Sequence, residues 1–205
     1  KKMNTIGIWG TETSGEINRR TLREMEDELK EFEIHLIFAD GELNSKGNPN
    51  ASRDSFDSLI NKGCDGIIIW GTDLPALEIL QIENEFPNIV LLNNQIELID
   101  DKCFYFDHYQ AGYACGQHLI DKGHSNIACI TGWLETYDGI QRHQGFLDAL
   151  NTNNVNMPEE LIFEGNYTYR KGYEGALSLL KQDQPFTALF CGNDQSAMSA
   201  ISAIT

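Results

Sequence analysis

The feature that most constrains the fold is an alternation of short apolar runs with longer segments of helical periodicity. Continuous β-branched runs are typical of parallel strands that are buried on both faces, and apolar residues at three- and four-residue spacing predict amphipathic helices. The runs are residues 5–10, 34–39, 64–70, 89–92 and 103–107 in the first half and 127–131, 161–163 and 187–191 in the second. The sequence therefore predicts an α/β protein with parallel sheets.

The apolar positions of the predicted helices indicate the faces that pack on these sheets. The expected inward residues are Leu22, Met25, Leu29, Phe32, Phe56, Leu59, Ile60, Leu77, Leu80, Ile82, Tyr173, Ala176, Leu177, Leu180, Ala197, Met198 and Ile201. Strand and helix alternate in both halves, and no low-complexity linker separates them. We expect subdomains at residues 1–106 and 107–205, joined by close crossovers near residues 106 and 107. The second half ends on a helix after its third strand, so we expect the C-terminal part of its sheet to be missing.

The charge balance limits the possible partners. With 15 basic and 31 acidic residues the net charge is −16, and so acidic a surface repels phosphate backbones. We therefore expect no direct binding of this segment to DNA or to an anionic membrane. No apolar run reaches the ~18 residues that a spanning helix needs.

The cysteines predict a reducing compartment. Cys64, Cys103, Cys115, Cys129 and Cys191 are odd in number, scattered and without a C-x-x-C pair. Three of them lie in or beside apolar runs, where a reduced cysteine behaves as a small hydrophobic residue. We expect a cytoplasmic protein; a metal site is the alternative reading of the same cysteines.

Residues 106–146 contain the most informative stretch, FDHYQAGYACGQHLIDKGHSNIACITGWLETYDGIQRHQGF. A helix is predicted after Asp107, and Gly123 ends it because glycine accepts the left-handed conformation beyond a helix terminus. A buried strand follows, and the next helix carries Arg142. One cation is thus expected near the carboxyl end of a parallel strand, which is where ligands bind in open α/β sheets.

The run HLIDKGHSNIACITG, followed by Arg-x-x-Gly-Phe at residues 142–146, resembles the effector-binding domain of LacI/GalR-type bacterial transcription regulators. That domain is similar to the periplasmic sugar-binding proteins. The resemblance implies two doubly wound parallel-sheet subdomains of the periplasmic binding protein-like I type, with an effector bound in the cleft between them. It also implies a homodimer that reads operator DNA through an N-terminal helix-turn-helix, which is absent from this segment.

Arg142 and Tyr167 are the strongest candidates for ligand contact. A guanidinium presents a rigid fork of donors suited to vicinal hydroxyls or a ring heteroatom, and the resemblance implies that Arg142 contacts the effector. The alternative is a surface arginine paired with Glu135 or Asp138. Tyr167 follows a strand where the family carries a stacking aromatic; the alternative is a half-exposed loop tyrosine.

Further candidates come from the strand ends of the second half. The family uses the position of Asn193 for the ligand, and an amide offers both a donor and an acceptor, whereas Asp194 is expected to cap the following helix. Thr136 and Asp138 align with loop positions that set effector identity in the family. Trp133 lies in the loop after the first strand of this half, where an aromatic face would stack on a sugar.

The first half supplies weaker candidates. The tetrapeptide Ile-Trp-Gly-Thr occurs at residues 8–11 and 69–72, which places Trp9 and Trp70 at strand ends. Each tryptophan either stacks on a ligand or is the last core residue of its strand, and for Trp9 we expect the core position. The remaining candidates are Asn93 after the fourth strand, Asp107 as ligand contact or helix cap, and Ser14 in a loop that departs from the family pattern.

These residues favour a ligand-sensing module. We expect a small effector, a sugar or sugar derivative, that controls operator binding allosterically; tryptophan, tyrosine, asparagine and glutamine near strand ends favour a sugar over a purine. The alternative is an extracytoplasmic sugar-binding protein of a transport system. Motifs of the types G-x-G-x-x-G, G-x-x-x-x-G-K-[ST] and G-x-S-x-G do not occur, and we expect no enzyme, no cofactor and no metal.

Overall fold

The computed structural model describes residues 4–10, 16–40, 51–71 and 74–205. The chain divides into two compact units, Lys1–Tyr105 and Phe106–Thr205. The reading of these units as the two subdomains of an effector-binding domain stays a prediction. Ser14 lies outside the described residues.

The first unit is built on a parallel sheet with the strand order β2-β1-β3-β4-β5. Its strands are β1 (Thr5–Gly10), β2 (His35–Asp40), β3 (Gly66–Trp70), β4 (Ile89–Leu92) and β5 (Cys103–Phe104). Its α-helices are α1 (Glu16–Lys30), α2 (Ala51–Asn61) and α3 (Ala76–Glu85), and a 3-10 helix spans Glu97–Lys102. Apolar residues at consecutive positions of β1 and β3 are buried, as expected for central parallel strands.

One hydrophobic cluster holds this unit together. It contains Trp9, Phe56, Ile69, Ile79 and Leu91, all with no exposed surface, together with neighbouring aliphatic residues. The α3 helix packs through Ile79 and Ile82. The prediction that Leu77 faces inward is wrong, because this side chain is 69% exposed and the buried stripe runs two residues later.

The second unit has a parallel sheet with the order β7-β6-β8. Its strands are β6 (Ile127–Ile130), β7 (Ile162–Phe163) and β8 (Ala188–Cys191). Its helices are α4 (His108–Asp121), α5 (Tyr137–Thr152), α6 (Tyr169–Leu179) and α7 (Asp194–Ile204), with a 3-10 helix at Glu159–Leu161.

Helices cover both faces of this sheet. Successive residues of β6 point to opposite faces, and the strand is buried throughout. Ala128 and Ile130 join one cluster with residues of α6 and α7, whereas Ile127 and Cys129 join another with residues of α5. A strand buried on both faces is the signature of a doubly wound unit, which confirms the predicted α/β class.

The α6 helix differs from the prediction in its inward face. Ala176 and Leu179 are buried, but Tyr173, Leu177 and Leu180 are 39%, 36% and 50% exposed. Gly172 and Gly175 take the inward positions instead, because a Cβ at Gly172 would meet Ser199 of α7 and one at Gly175 would meet the Phe163 ring. The helix therefore lies closer to its neighbours than an apolar stripe alone suggests. None of the helices in the described ranges is both long and apolar enough to cross a bilayer.

Candidate functional site

The carboxyl ends of the three strands of the second unit are tied together by their loops. Gly192 N, after β8, donates to the carbonyl oxygen of Ile130 at the end of β6 over 2.8 Å. On the other side, Gly165 N donates to the buried Thr131 hydroxyl over 3.2 Å. The residues that follow β6, β7 and β8 therefore form one surface, on which the sequence-predicted residues converge.

Arg142 lies at the centre of this surface. Its guanidinium donates to the carbonyl oxygen of Gly192, and Nη2 lies 3.1 Å from His108 Nδ1 and 3.4 Å from Asp138 Oδ2. Its side chain is only 20% exposed. The ion pair with Asp138 that the sequence offered as the alternative does form, but in a half-buried cluster rather than on an open surface.

Tyr167 packs against the same group. Its hydroxyl donates to Asp138 Oδ2 over 2.7 Å, and the Arg142 guanidinium carbon lies 5.7 Å from the centre of its ring. A Cβ at Gly132 would collide with that ring, so the glycine provides the space that the ring occupies. Tyr167 adopts φ 67°, a conformation that costs a non-glycine residue free energy and is found at functional sites.

The electrostatic environment keeps the Tyr167 hydroxyl protonated. Burial of the phenol raises its pKa, and the nearby Asp138 carboxylate raises it further. A protonated hydroxyl is able to donate, and it donates to Asp138. The cluster thus combines a charged fork, a carboxylate and a flat ring, which suits hydrogen bonding and stacking of a small polar ligand.

His108 belongs to this cluster, and the sequence reasoning did not select it. It is the first residue of α4, and its Nδ1 contacts Arg142 while its Nε2 is buried without a hydrogen-bond partner among the described residues. Burial lowers the pKa of the imidazole, and the Arg142 charge lowers it further. The signal that could have found it is the glycine pattern of α4 and α5: a Cβ at Gly112 would meet the Arg142 carbonyl, and one at Gly145 the Tyr109 carbonyl.

Asn193 is the N-cap of α7, so the expectation that Asp194 caps this helix is wrong. Asn193 Oδ1 accepts from Ser196 N over 3.0 Å, and Nδ2 donates to the Tyr167 carbonyl over 2.9 Å. Asn193 precedes the first helical residue, which is the position where a side chain reaches the free N–H groups. Its amide therefore holds the Tyr167 loop, and a ligand contact by Asn193 stays a prediction.

Two further candidates also cap helices. Thr136 Oγ1 accepts from Gly139 N and donates to the Trp133 carbonyl, over 3.4 and 2.8 Å. Asp107 accepts from Gln110 N over 2.8 Å at the start of α4. Each cap explains the residue structurally, and any additional contact with a ligand stays a prediction.

The remaining candidates are Trp133 in the second unit and Trp70 and Asn93 in the first. Trp133 is 39% exposed, whereas Trp70 is 5% exposed at the end of β3 in the first unit. Asn93 follows β4 with φ 58°, and its Oδ1 is buried without a partner among the described residues. Roles for these three in ligand binding stay predictions.

Another concave feature of the second unit is apolar. An apolar groove of about 360 Å³ is bordered by α4 and β8, with Ala114, Cys115, Leu189 and Cys191 among its lining residues; it lacks the converging charged groups of the Arg142 cluster. Within the part of the chain that the structure describes, His, Cys, Asp and Glu side chains form no group of three suited to a metal ion.

Comparison with known proteins identifies the relatives of this chain. The family of "periplasmic binding proteins and sugar binding domain of LacI family" matches residues 20–205. An HTH-type transcriptional repressor PurR from Mannheimia succiniciproducens is 33% identical over 168 residues, which cover 79% of this chain and 49% of the repressor. A PurR repressor from Photorhabdus laumondii is 30% identical over 201 residues, covering 97% of this chain and 58% of that protein.

Solved structures of the same class superimpose closely. A LacI-family sugar-binding transcriptional regulator from Escherichia coli, complexed with phosphate, gives a TM-score of 0.86 at 29% identity over 100% of this chain and 73% of that one. The Escherichia coli transcriptional repressor AscG gives 0.85 at 29% identity, with 98% and 72% covered. The chain spans about half the length of the first curated relatives it matches. This chain belongs to the family of periplasmic binding proteins and LacI-type sugar-binding domains, as its sequence motif indicated.

Proposed function

We propose that this chain is the effector-binding part of a LacI/GalR-type transcriptional regulator, and that it binds a sugar or sugar derivative. The observation that carries the proposal is the Arg142 cluster: a half-buried guanidinium, fixed by Gly192, His108 and Asp138, lies over the Tyr167 ring at the strand ends of a doubly wound unit. Ligands of open α/β sheets bind at that edge.

The chemistry of the cluster supports a polyol. A guanidinium offers paired donors to neighbouring hydroxyls, a carboxylate accepts from them, and an aromatic face packs on the C–H groups of a sugar ring. The family is named for sugar binding, and a related regulator of known structure is described as sugar-binding. We propose Arg142, Asp138 and Tyr167 as the primary contacts, with Thr136, Trp133 and Asn193 beside them.

The wider biology is proposed from the relatives. The matched proteins are transcriptional repressors and regulators, which favours binding without turnover and does not favour the transport alternative. We propose a cytoplasmic homodimer in which effector binding changes operator affinity through a DNA-binding domain outside this segment. Couplings of this kind are typically about 1–3 kcal/mol, or about 5–150-fold in affinity.

A thermal-shift screen of the purified protein tests this function. The compounds are hexoses, pentoses, disaccharides and sugar phosphates, with purine bases and nucleosides as the competing class. A ligand present at about 100 times its Kd stabilises a protein by about 2.7 kcal/mol, which is a shift of several degrees for a domain of this size. Stabilisation by a sugar and not by a purine supports the proposal, and the opposite result rejects a sugar effector.

Matched arginine variants show where the compound binds. Arg142→Ala should abolish the shift, and Arg142→Lys should lose most of it because an ammonium cannot replace the planar fork. The control is Arg170→Ala, which removes a 78% exposed arginine that also pairs with a glutamate four residues away. A shift that survives Arg142→Ala, or that is lost equally in Arg170→Ala, would place the ligand elsewhere.

A further inference from the structure

We propose that His108 is a specificity-determining residue of the effector site, donating a hydrogen bond from Nε2 to an acceptor atom of the ligand while its Nδ1 holds Arg142. The proposal rests on the proposed function and deepens it. It adds a second hydrogen-bond donor, His108 Nε2–H, to the Arg142 cluster. This donor lies on α4, whereas Arg142 lies on α5, and the geometry determines its protonation state.

The direction of the hydrogen bond with Arg142 determines the tautomer. Arg142 Nη2 lies 3.1 Å from His108 Nδ1, and a guanidinium has only donors. Nδ1 must therefore be the acceptor and carry no proton, so the neutral ring has its proton on Nε2. Burial and the adjacent Arg142 charge, which lower the pKa of His108, both favour this uncharged form.

The resulting Nε2–H has no partner within the described residues. The atom is buried, and a buried donor that is left without a hydrogen bond costs about 1–3 kcal/mol. Buried polar groups are therefore almost always satisfied, and an exception calls for an explanation such as a ligand or an ordered water. The unsatisfied Nε2–H of His108 lies beside Arg142, which the proposed function assigns to ligand binding.

The backbone holds His108 firmly in this place. A side chain at Gly112 would collide with the Arg142 carbonyl, so α4 and α5 can approach this closely only with a glycine at that position. The Asp107 carboxylate caps α4 immediately before His108. The Tyr109 hydroxyl, which donates to Asp148 of α5 over 3.0 Å, adds a further link between the two helices.

This arrangement limits the ligand atom that His108 recognises. The atom must be an acceptor, such as a hydroxyl or ring oxygen of a sugar. A cationic group is disfavoured, because Arg142 already carries the positive charge and Asp138 is paired with it. The acceptor is therefore expected on an uncharged or anionic ligand. Replacing that single oxygen by hydrogen should weaken binding through the loss of the His108 hydrogen bond.

The first test needs no ligand. Imidazole 15N chemical shifts of selectively labelled protein distinguish the two neutral tautomers and the imidazolium. We expect at neutral pH the form with the proton on Nε2, and loss of that preference in Arg142→Ala. A proton on Nδ1, or a charged ring at neutral pH, would overturn the proposal before any effector is known.

The second test compares two amides with the hits of the sugar screen. His108→Asn places an oxygen near the position of Nδ1 and keeps an acceptor for Arg142, whereas His108→Gln extends an N–H towards the position of Nε2. We expect Asn to weaken binding about tenfold, the size of one lost hydrogen bond, and Gln to weaken it less. If glucose is a hit, its analogues 2-deoxyglucose, 6-deoxyglucose and 1,5-anhydroglucitol each lack one oxygen. The analogue that lacks the acceptor of His108 should bind the wild-type protein about tenfold more weakly than glucose does. It should bind His108→Asn no more weakly than it binds wild type, because the hydrogen bond is already lost.

The outcomes separate this proposal from the proposed function. If no compound of the screen stabilises the protein, the function fails and His108 with it. If a hit depends on Arg142 but binds wild type and His108→Asn equally, only the role of His108 is refuted. A third outcome is that His108→Asn and His108→Gln weaken binding of the hit equally, and that every deoxy or anhydro analogue binds both variants more weakly still. His108 would then only position Arg142, and its proposed hydrogen bond to the ligand would also be refuted.

Discussion

The two units follow the same strand-helix scheme, but the described residues at their strand ends differ in character. In the first unit, Trp9 at the end of β1 has no exposed surface and packs edge-on to Phe56 with ring centroids 5.3 Å apart. Its Nε1 donates to Ser55 Oγ over 2.7 Å. In the second unit the residues after the strands form the hydrogen-bonded group around Arg142 and Tyr167.

This difference shows that position at a strand end does not by itself define a binding residue. The repeated tetrapeptide around Trp9 and Trp70 predicts equivalent places in the sheet, and both indoles are buried. Among the described residues, the second unit joins a donor fork, a carboxylate and an imidazole in one hydrogen-bonded group, and the imidazole is only partly satisfied within that group. Converging polar groups, rather than aromatic residues alone, identify a ligand site.

The largest expected effect comes from the core tryptophan of the first unit. Trp9→Ala should lower the free energy of unfolding by about 3–5 kcal/mol, because it leaves a large cavity and removes the hydrogen bond from the indole to Ser55. Trp133→Ala, at a 39% exposed loop position of the second unit, should cost less than about 1 kcal/mol. Urea denaturation followed by circular dichroism measures both. Similar losses for the two variants would remove the distinction between a core indole and a loop indole.

A smaller effect is expected where the two helices of the site meet. Gly112→Ala should destabilise the protein by about 1–3 kcal/mol, because the added Cβ meets the backbone carbonyl of Arg142 and forces the helices apart. The sign is informative, since a glycine replaced by alanine in an unobstructed helix interior stabilises by about 0.4–1 kcal/mol. Denaturation and the thermal-shift response are measured together, and a stabilised variant would show that α4 and α5 do not depend on this contact.

The sequence predicted the fold well because a strand buried on both faces leaves a strong local pattern. The runs around β1, β3, β6 and β8 were located to within a residue or two. The inward faces of the helices were less predictable, and the expected inward residues Phe32, Met198 and Ile201 are 61%, 63% and 62% exposed. Leu77, Tyr173 and Leu177 are exposed, whereas isoleucine residues of α3 and alanine and glycine residues of α6 pack against the neighbouring elements. The spacing of apolar residues alone does not tell which of them face inward.

The site was predictable where it depends on strand ends and not where it depends on helix packing. Tyr167, in the loop after β7, does meet Arg142 and Asp138 near the start of α5, the helix that follows the neighbouring strand β6. His108 was missed because its contact with Arg142 arises from the close approach of α4 to α5, which two distant glycines permit. The choice of Asp194 over Asn193 as the cap was wrong by one residue, because helix boundaries are the least certain part of a sequence prediction.

The hydrogen bond between Asn193 and the Tyr167 loop, together with the helix cap, gives an expected effect of about 1–2 kcal/mol. Asn193→Ala removes the cap of α7 and the hydrogen bond to the Tyr167 carbonyl, so a loss of about 1–2 kcal/mol in unfolding free energy is expected. Asn193→Ser keeps a capping oxygen but not the amide donor, and it should recover most of that stability. If Asn193 acts through the Tyr167 loop, both variants weaken effector binding; normal binding by the serine variant would limit its role to the cap.

The smallest expected effect is a dependence of stability on pH that arises in the second unit. Burial lowers the pKa of both His108 and His143 from the ordinary value of 6.5. Around His108, the Arg142 charge lowers the pKa further, while Asp138 and Asp107 raise it. The Cys129 thiol lies 3.9 Å from His143 Nδ1. The folded protein therefore binds fewer protons than the unfolded chain once the pH falls below about 6.5.

The sign of the pH effect follows from this difference in proton binding. When the unfolded state binds more protons, the free energy of unfolding increases with pH. The contribution of the two histidines is therefore complete above about pH 6.5 and is lost as the pH falls through the lowered folded pKa values. Urea denaturation at about pH 7.5 and about pH 5.5 should show a smaller drop in the His108→Gln, His143→Gln double variant than in wild type. An equal drop in both proteins would mean that neither imidazole is held neutral by the fold. Because the Arg142 charge contributes to the lowered pKa of His108, Arg142→Gln, which removes that charge, is compared in wild type and in His143→Gln to show how much of the drop comes from the site itself.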